Sequence, residues 1–493
     1  MTKFIFFIFV FLFLFTNSLY SQEFKEFTHP VADIEFLSST YLGNENRNYY
    51  GNTAPAKLDV LWKFMLGSGK TIDPYSKGAL KTMYGAGWTG QGATIRHDSS
   101  FFIIQPSFSH KLFKINAKTG EKVWEYSFND ILKGSPTLWH NNYSWDKNRF
   151  LIIQGSRRGS DIKISDPYAF SLRAIDFITG KPVWFYNVKR SLSFSRDVDA
   201  SPLVIHDTLY APLENGYLLI ADPRPDCTVK KDAKLPQPDV FSLIKTYTNE
   251  DAINHRNNVV LEASPTAFGD YLYMASGTGW LYGYNKVSDS IDWKFHTGAD
   301  MDGTPVVTRD SSLLITLEKQ YIPGQGGVFK IDPEQHPDSC VLWYFPVPDT
   351  NFVVWEGGII GSAAVNDHYM SKNDQHLAAV VSLDGYVYIL NHEFTSGDSV
   401  FGPERLNKYP APELVYKHYV GPSISTPVFT DNKLIVAGYL GLYLFSYDDN
   451  CLFTLEDKFD GGFESTPVLL NGKVYIASRN GYLYCLGEKH AGK

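Results

Sequence analysis

Ser465–Leu486 reads STPVLLNGKVYIASRNGYLYCL and is the clearest copy of a unit that recurs along the chain. Two Asn-Gly pairs, Asn471-Gly472 and Asn480-Gly481, separate three runs rich in β-branched, aromatic and aliphatic residues: Val468–Leu470, Val474–Ala477 and Tyr482–Leu486. Asn-Gly between such runs is a strong hairpin signal because both residues accept positive φ. One copy therefore predicts a three-strand meander.

Working outward, the small residue and Pro that open this unit recur at Ser135, Ser201, Ser264, Thr304 and Thr426, with Pro-less copies at Gly92-Ala93-Thr94 and Gly361-Ser362-Ala363. The closest spacing, Pro265 to Pro305 or Pro427 to Pro467, is about 40 residues, the length of a four-stranded propeller blade. Longer spacings are read as polar insertions at 141–148, 157–167, 223–238, 335–339, 367–375 and 392–412. A second signature closes several units. Asn116, Asp176 and Asn285 each precede a tryptophan (Trp124, Trp184, Trp293) by the same offset. The Asx turns the chain, and the Trp is predicted on the outermost strand, packed against the next blade; Trp343, Tyr416 and Phe453 are placed in similar positions. The last unit lacks a fourth strand, whereas Leu58–Phe64, carrying Trp62, is a strand without a partner. The fold predicted is therefore an all-β, eight-bladed β-propeller of four-stranded antiparallel blades, closed by this N-terminal strand in the last blade, which removes an open edge.

Composition agrees. Aromatics make up 15% of the 493 residues, and 39 Gly and 26 Pro punctuate the runs, favouring many short strands. With 45 Lys+Arg against 53 Asp+Glu and no basic block, nucleic acid is excluded as the expected partner. Lys3, the apolar run Phe4–Phe15 and the polar stretch Thr16–Ser21 have the three parts of a secretory signal, with cleavage expected before Gln22. The run is too short to span a bilayer, and no later stretch is long and apolar enough. The organisation expected is a signal peptide at 1–21, a lead-in at 22–57 that is flexible to about Ser39, a propeller at 58–487 and a tail at 488–493, in a periplasmic or secreted protein. Of the four cysteines, Cys451 and Cys485 fall in neighbouring units, where a bridge is open to test.

The pattern (S/T)P-V…NG-x-V/L-Y…NG-x-L-Y followed by (N/D)-x-x-TG-x-x-x-W resembles the repeat of the PQQ-like, or quinoprotein-like, β-propellers. Gly43-Asn44-Glu45-Asn46-Arg47 is similar to the G-N-x-x-R segment that often precedes their first blade. The resemblance covers nearly the whole mature chain and implies the fold. It does not imply one activity, since the family holds PQQ- and metal-dependent alcohol dehydrogenases as well as a cofactor-free outer-membrane assembly factor. The dehydrogenases hold the quinone against a ring of two adjacent cysteines. Here no cysteines are adjacent, no Arg-Pro-Gly-Asp-Asn stretch is found and no Cys-x-x-Cys-His haem site is present.

One chemical feature stands apart from the repeat. Asp197-Val198-Asp199 and Asp300-Met301-Asp302 place Asp-x-Asp just ahead of an innermost strand, and Glu262 and Glu464 replace the second Asp in two other units. Equivalent positions lie on one rim, so Asp199, Glu262 and Asp302 are expected as neighbours able to hold a hard cation. Asp197, Asp300, Glu464, Arg256 and Trp355 are further candidate ligand-binding positions on that rim. The alternative is that the acids bond backbone amides or face water. Lys133 and Ile424 at the matching positions interrupt the ring, making any site local. The thirteen histidines show no paired zinc spacing and no Gly-x-Ser-x-Gly is present, so no catalytic residue is assigned. The function expected is a non-catalytic binding scaffold for protein partners or a small ligand at the acidic rim, without cofactor. The alternatives are a quinoprotein oxidoreductase using PQQ and Ca²⁺, and a metal- or carbohydrate-binding propeller.

Overall fold

Asn471 and Gly472 adopt positive φ (52° and 67°) and turn Val468–Leu470 into Lys473–Ala477; Gly481 (φ 92°) turns that strand into Tyr482–Gly487. The meander read from the sequence is thus present in the computed structural model, which describes residues 34–489 except 74, 75, 77, 143–148, 231–234 and 370–374. The expected signal at 1–21 and the end of the tail lie outside the described residues.

Among the described residues, eight antiparallel blades of four strands, the first widened by a fifth strand on its inner edge, form a propeller ring. Numbered from the N-terminus, the blades begin on the innermost strands Ala93–His97, Thr137–His140, Leu203–Ile205, Thr266–Phe268, Val306–Val307, Ala364–Val365, Val428–Thr430 and Val468–Leu470. The outermost strand of blade 8 is Asp59–Met65, paired antiparallel with Tyr482–Gly487, so the ring closes as the partnerless strand requires.

The recurring tryptophans lock blade to blade. In blades 1, 2, 4 and 5 the register shifts next to Trp124, Trp184, Trp293 and Trp343, and in blade 8 next to Trp62. Such bulges add twist to the outer strand and re-aim its side chain. Each indole N–H then donates to a carbonyl of the following blade: Trp62 to Ala117 (3.2 Å), Trp124 to Phe177 (3.0 Å), Trp184 to Pro223 (3.0 Å), Trp293 to Gln335 (3.1 Å) and Trp343 to His392 (2.9 Å). The Thr-Gly of the signature belongs to the same lock. Gly120 and Gly180 have φ of 75° and 68°, and a Cβ on either would lie 2.8 Å from the Trp62 or Trp124 ring of the preceding blade. Tyr416 reaches the next blade by stacking on Phe453 (5.2 Å). Phe453 is thus the surface that receives Tyr416 rather than an equivalent of the tryptophans.

The Ser/Thr-Pro motifs form an inner belt. Backbone N–H groups of Gln91, Ser201, Ser264, Thr304 and Ser362 donate to the hydroxyls of Ser135, Ser264, Thr304, Ser362 and Thr426 on the next blade at 2.8–3.1 Å. The lead-in seals this belt. From Ile34 it differs from the flexible segment expected, the earlier part, 22–33, lying outside the described residues: Ile34–Ser38 is a strand paired with Ala93–His97, because apolar residues find the open inner edge of blade 1. Beyond it the chain crosses the axis. Tyr41 Oη bonds Thr426 (2.7 Å), Asn48 donates to Val307 O (2.9 Å), and the Val365 N–H donates to Tyr50 Oη (3.0 Å). Arg47 is fully buried, and its guanidinium donates to Pro265 O (2.9 and 2.7 Å), Tyr41 O (2.8 Å), Thr40 Oγ1 (2.7 Å) and Ser201 O (3.2 Å). Burial lowers its pKa to about 9, so it stays charged at neutral pH.

The insertion 392–412 is part of an ordered two-stranded arm, Tyr386–Phe401 against Lys408–Tyr419, whose tip lies over blade 5 through Phe329–Tyr409 (5.4 Å) and Gly324 N to Pro403 O (2.8 Å). All four cysteines are free. Cys485 points into the blade 8 core, while Cys451 sits in a turn of blade 7, so no bridge joins them.

Candidate functional site: an acidic arc on one rim

In a four-stranded meander the connections from strand two to three and from strand four to the next blade lie at the same end. All the candidate positions lie on or beside these connections. The structure gathers Asp199 and Glu262 with Glu214, and Asp302 with Asp300 and Glu318; within each trio the potential ligand atoms lie within 4.8 Å of one another. Glu214 and Glu318 stand at the end of the second strand of blades 3 and 5, at or just past Thr208–Leu213 and Leu313–Leu317. Both follow a leucine, so Asp-x-Asp and a later Leu-Glu form a recurring pair of signals that the motif search missed.

The blade 3 trio carries its own cation. The Lys133 ammonium pairs with Asp199 and lies 3.6 Å from Glu262 Oε2. Lys133 therefore completes this group, where the sequence suggested an interruption. The neighbouring carboxylates raise its pKa against the opposing effect of burial. Asp197 faces Arg157 (3.5 Å) and Arg158 (3.7 Å) and accepts the Arg158 N–H at 3.0 Å. Burial, then repulsion from Asp199, Glu262 and Asp197, holds Glu214 well above the usual carboxylate range; its Oε2 accepts from Ser195 Oγ at 2.6 Å.

Among the described residues the blade 5 trio has no such partner. Asn258 Nδ2 donates to Asp300 Oδ2 at 2.6 Å and Gln320 Nε2 to Glu318 Oε2 at 2.8 Å. Burial and then Glu262 push the Asp300 carboxyl up to about 7, and burial with repulsion from its neighbours puts Asp302 and Glu318 well above their ordinary values. Glu464, on blade 8, lies away from both trios and is bonded by Arg479 and by Tyr439 Oη. Arg256 is exposed beside Tyr321, and Trp355 packs against the cluster of Trp88, Ile360 and Leu383. That cluster, with Ile424, covers the axis on this side; the Trp88 N–H donates to Ile360 O at 3.3 Å.

A third group lies at the opposite end of blade 6 and was not found from the sequence. Asp367 Oδ1 sits 3.2 Å from His376 Nδ1 and 3.0 Å from His392 Nε2, and Asp367 Oδ2 accepts the Arg309 N–H at 2.8 Å. Glu393 faces His376 (3.3 Å), and Lys330 bonds His392 O (2.9 Å) and Asp310 (2.5 Å). Each carboxylate oxygen of Asp367 is thus already bonded, as in a structural network. These bonds hold the Asp367 carboxyl down at about 2, against burial.

A quinone of the kind the resemblance implies does not fit these residues. Cys227, Cys340, Cys451 and Cys485 are free and belong to different blades, and Trp88 with Ile360 and Leu383 fills the mouth of the axis.

The chain is thus an eight-bladed propeller with a plugged axis and two acidic trios on one rim, at blades 3 and 5. The crystal structure of BamB from Moraxella catarrhalis superposes with a TM-score of 0.52 over 88% of this chain and 99% of that one, at 14% sequence identity. A computationally designed protein, Ika8, aligns over 82% of this chain and 96% of its own at 9% identity and a TM-score of 0.48. No family model matches the sequence, and no curated protein does.

Proposed function

We propose that the protein is a non-catalytic interaction scaffold of the PQQ-like propeller type, periplasmic or secreted, that binds protein partners on the acidic rim. The observation that carries this reading is a set of exposed apolar side chains on connections of that one rim. Leu192 and Phe194 lie between blades 2 and 3, Ile253 (77% exposed) between blades 3 and 4, and Phe352 and Val354 (68% exposed) between blades 5 and 6. Apolar and aromatic side chains on loops around a rigid ring suit protein recognition. Ile253 is presented by the helix Asn249–Asn254, fixed by a Thr248–Asp251 capping box. The similarity in build to BamB supports a scaffold in the cell envelope, and no helix among the described residues is long and apolar enough to cross a membrane.

The test is site-specific photo-crosslinking in the native host from Phe194, Ile253 and Val354, with Val287 and Leu452 on opposite-end turns as controls. A discrete adduct from the rim positions alone is expected, and Ile253→Lys with Val354→Lys should abolish it while leaving the fold intact. Equal labelling from Val287 and Leu452, or no rim adduct, refutes the reading.

A further inference from the structure

We infer that Asp300, Asp302 and Glu318 on blade 5 form a binding site for one hard divalent cation of the Ca²⁺ class. The geometry suits such an ion. Oxygen ligands bind Ca²⁺ at about 2.4 Å, so oxygens on opposite sides of it stand about 4.8 Å apart, and the three candidate ligand atoms all lie within 4.8 Å of one another. The supports are rigid: the Glu318 N–H donates to Asp300 O at 3.0 Å, and Glu318 bridges to Gly358 of the next connection.

A second observation points to a missing ligand. Asp300 is only 5% exposed, and with Oδ2 engaged by Asn258 its Oδ1 is buried without a hydrogen-bond partner. Buried charged oxygens are ordinarily paired or metal-bound. Among the described residues no lysine, arginine or histidine forms an ion pair with Asp300, Asp302 or Glu318, and Glu262 adds a further negative charge beside them.

The molecule contains its own comparison. Asp197-x-Asp199 with Glu214 on blade 3 repeats the sequence pattern of Asp300-x-Asp302 with Glu318 on blade 5, although Asp197 faces Arg157 and Arg158 and Glu262 stands in its place in the blade 3 trio. At the position one blade back, the first trio has Lys133, whose ammonium pairs with Asp199. The second has Glu262 at the corresponding place. Where blade 3 has a built-in cation, blade 5 has an extra carboxylate, so its positive charge has to come from solution.

The test uses the full mature chain, stripped with EDTA and titrated with Ca²⁺, Mg²⁺ or Mn²⁺, bound metal being counted by equilibrium dialysis and elemental analysis. One Ca²⁺ per chain is expected, with a melting midpoint raised by about 3 °C at a hundredfold excess over the dissociation constant. Glu318→Gln should weaken binding at least tenfold and Asp302→Asn with Glu318→Gln should abolish it, whereas Asp199→Asn should leave it unchanged. Lys133→Met should open a second equivalent on blade 3. The inference is overturned if the native chain binds none of the three ions at millimolar concentration, or if Ca²⁺ binding survives the double substitution. The native stoichiometry decides the first point even if a variant fails to fold. Loss of partner crosslinking without loss of Ca²⁺ binding would affect the scaffold reading alone.

Discussion

Replacing Arg47 with methionine removes the donors that hold the lead-in across the axis while keeping much of the side chain's apolar length. The carbonyls of Pro265, Tyr41 and Ser201 would lose N–H partners now at 2.7–3.2 Å; Thr40 Oγ1 would keep its contacts with Ser201 and Thr137. A buried acceptor left unpaired costs about 1–3 kcal/mol, giving a gross loss of roughly 3–9 kcal/mol. Methionine also ends the burial of a cation, the effect that lowers the Arg47 pKa to about 9. The net loss expected is therefore near the low end, about 3 kcal/mol. Unfolding entropy of ~2.1 cal/mol/K per residue translates this into a midpoint about 3 °C lower for a chain of this size. Hydrogen exchange is the sharper assay: if the plug opens locally, ~3 kcal/mol should speed exchange across 40–50 by about 100-fold. A midpoint within 1 °C of the parent, with exchange across 40–50 within twofold, would show that Arg47 does not hold the plug.

Trp62→Ala deletes the indole bond to Ala117 and the packing on Tyr475 and Gly120, and should destabilise by about 3 kcal/mol and promote association through the loosened last blade; calorimetry and light scattering report both, and an unchanged midpoint would mean closure does not depend on this strand. Gly120→Ala should cost about 2–4 kcal/mol, because positive φ and the Trp62 ring both oppose a Cβ, whereas Gly472→Ala, with similar φ but open space, should cost only about 1 kcal/mol. Equal losses in chemical denaturation would remove the steric half of that argument. Asp367 is held at about 2 in the folded chain against 3.8 for the free group, so its contribution of ~2 kcal/mol is complete above pH 3.8 and is lost as pH falls through about 2. Asp367→Asn should flatten that part of the acid-unfolding curve, and an unchanged curve would assign the acid sensitivity elsewhere.

What was legible in the sequence was information carried close along the chain. Asn471-Gly472 and Asn480-Gly481 specify turns by their own backbone preference, and the shared Asx-to-Trp offset arises because one turn and one bulged outer strand recur in several blades. The closing strand was found by elimination, since a blade that ends after its third strand leaves an edge that Asp59–Met65 fills. The reason for the Gly in Thr-Gly was not legible, because the ring that forbids a side chain at Gly180 belongs to the previous blade. The same separation explains the acidic rim. Asp199, Glu262 and Asp302 stand out because each precedes a Ser/Thr-Pro anchor, but Glu214 and Glu318 resemble any residue ending a strand, and they join the trios only because a second strand returns to the same rim. Asp367, His376 and His392 were missed for a similar reason, their positions lying 9 and 25 residues apart along the chain.

Lys133 is the most instructive case, because its meaning depends on which blade it is counted with. Read along the chain, it is a basic residue interrupting a series of acids; placed on the ring, it leans toward blade 3 and neutralises Asp199 with part of the charge of Glu262. Charge balance at these two positions is thus settled between neighbouring blades, Asp199 being paired by Lys133 one blade back, whereas Glu464 is paired by Arg479 of its own blade. A repeat search that aligns units in isolation ranks Asp199 and Asp302 as equivalents. Once the preceding blade is included they become opposites, one beside a lysine and the other beside a glutamate, and that difference singles out blade 5 as the place where a cation from solution is needed.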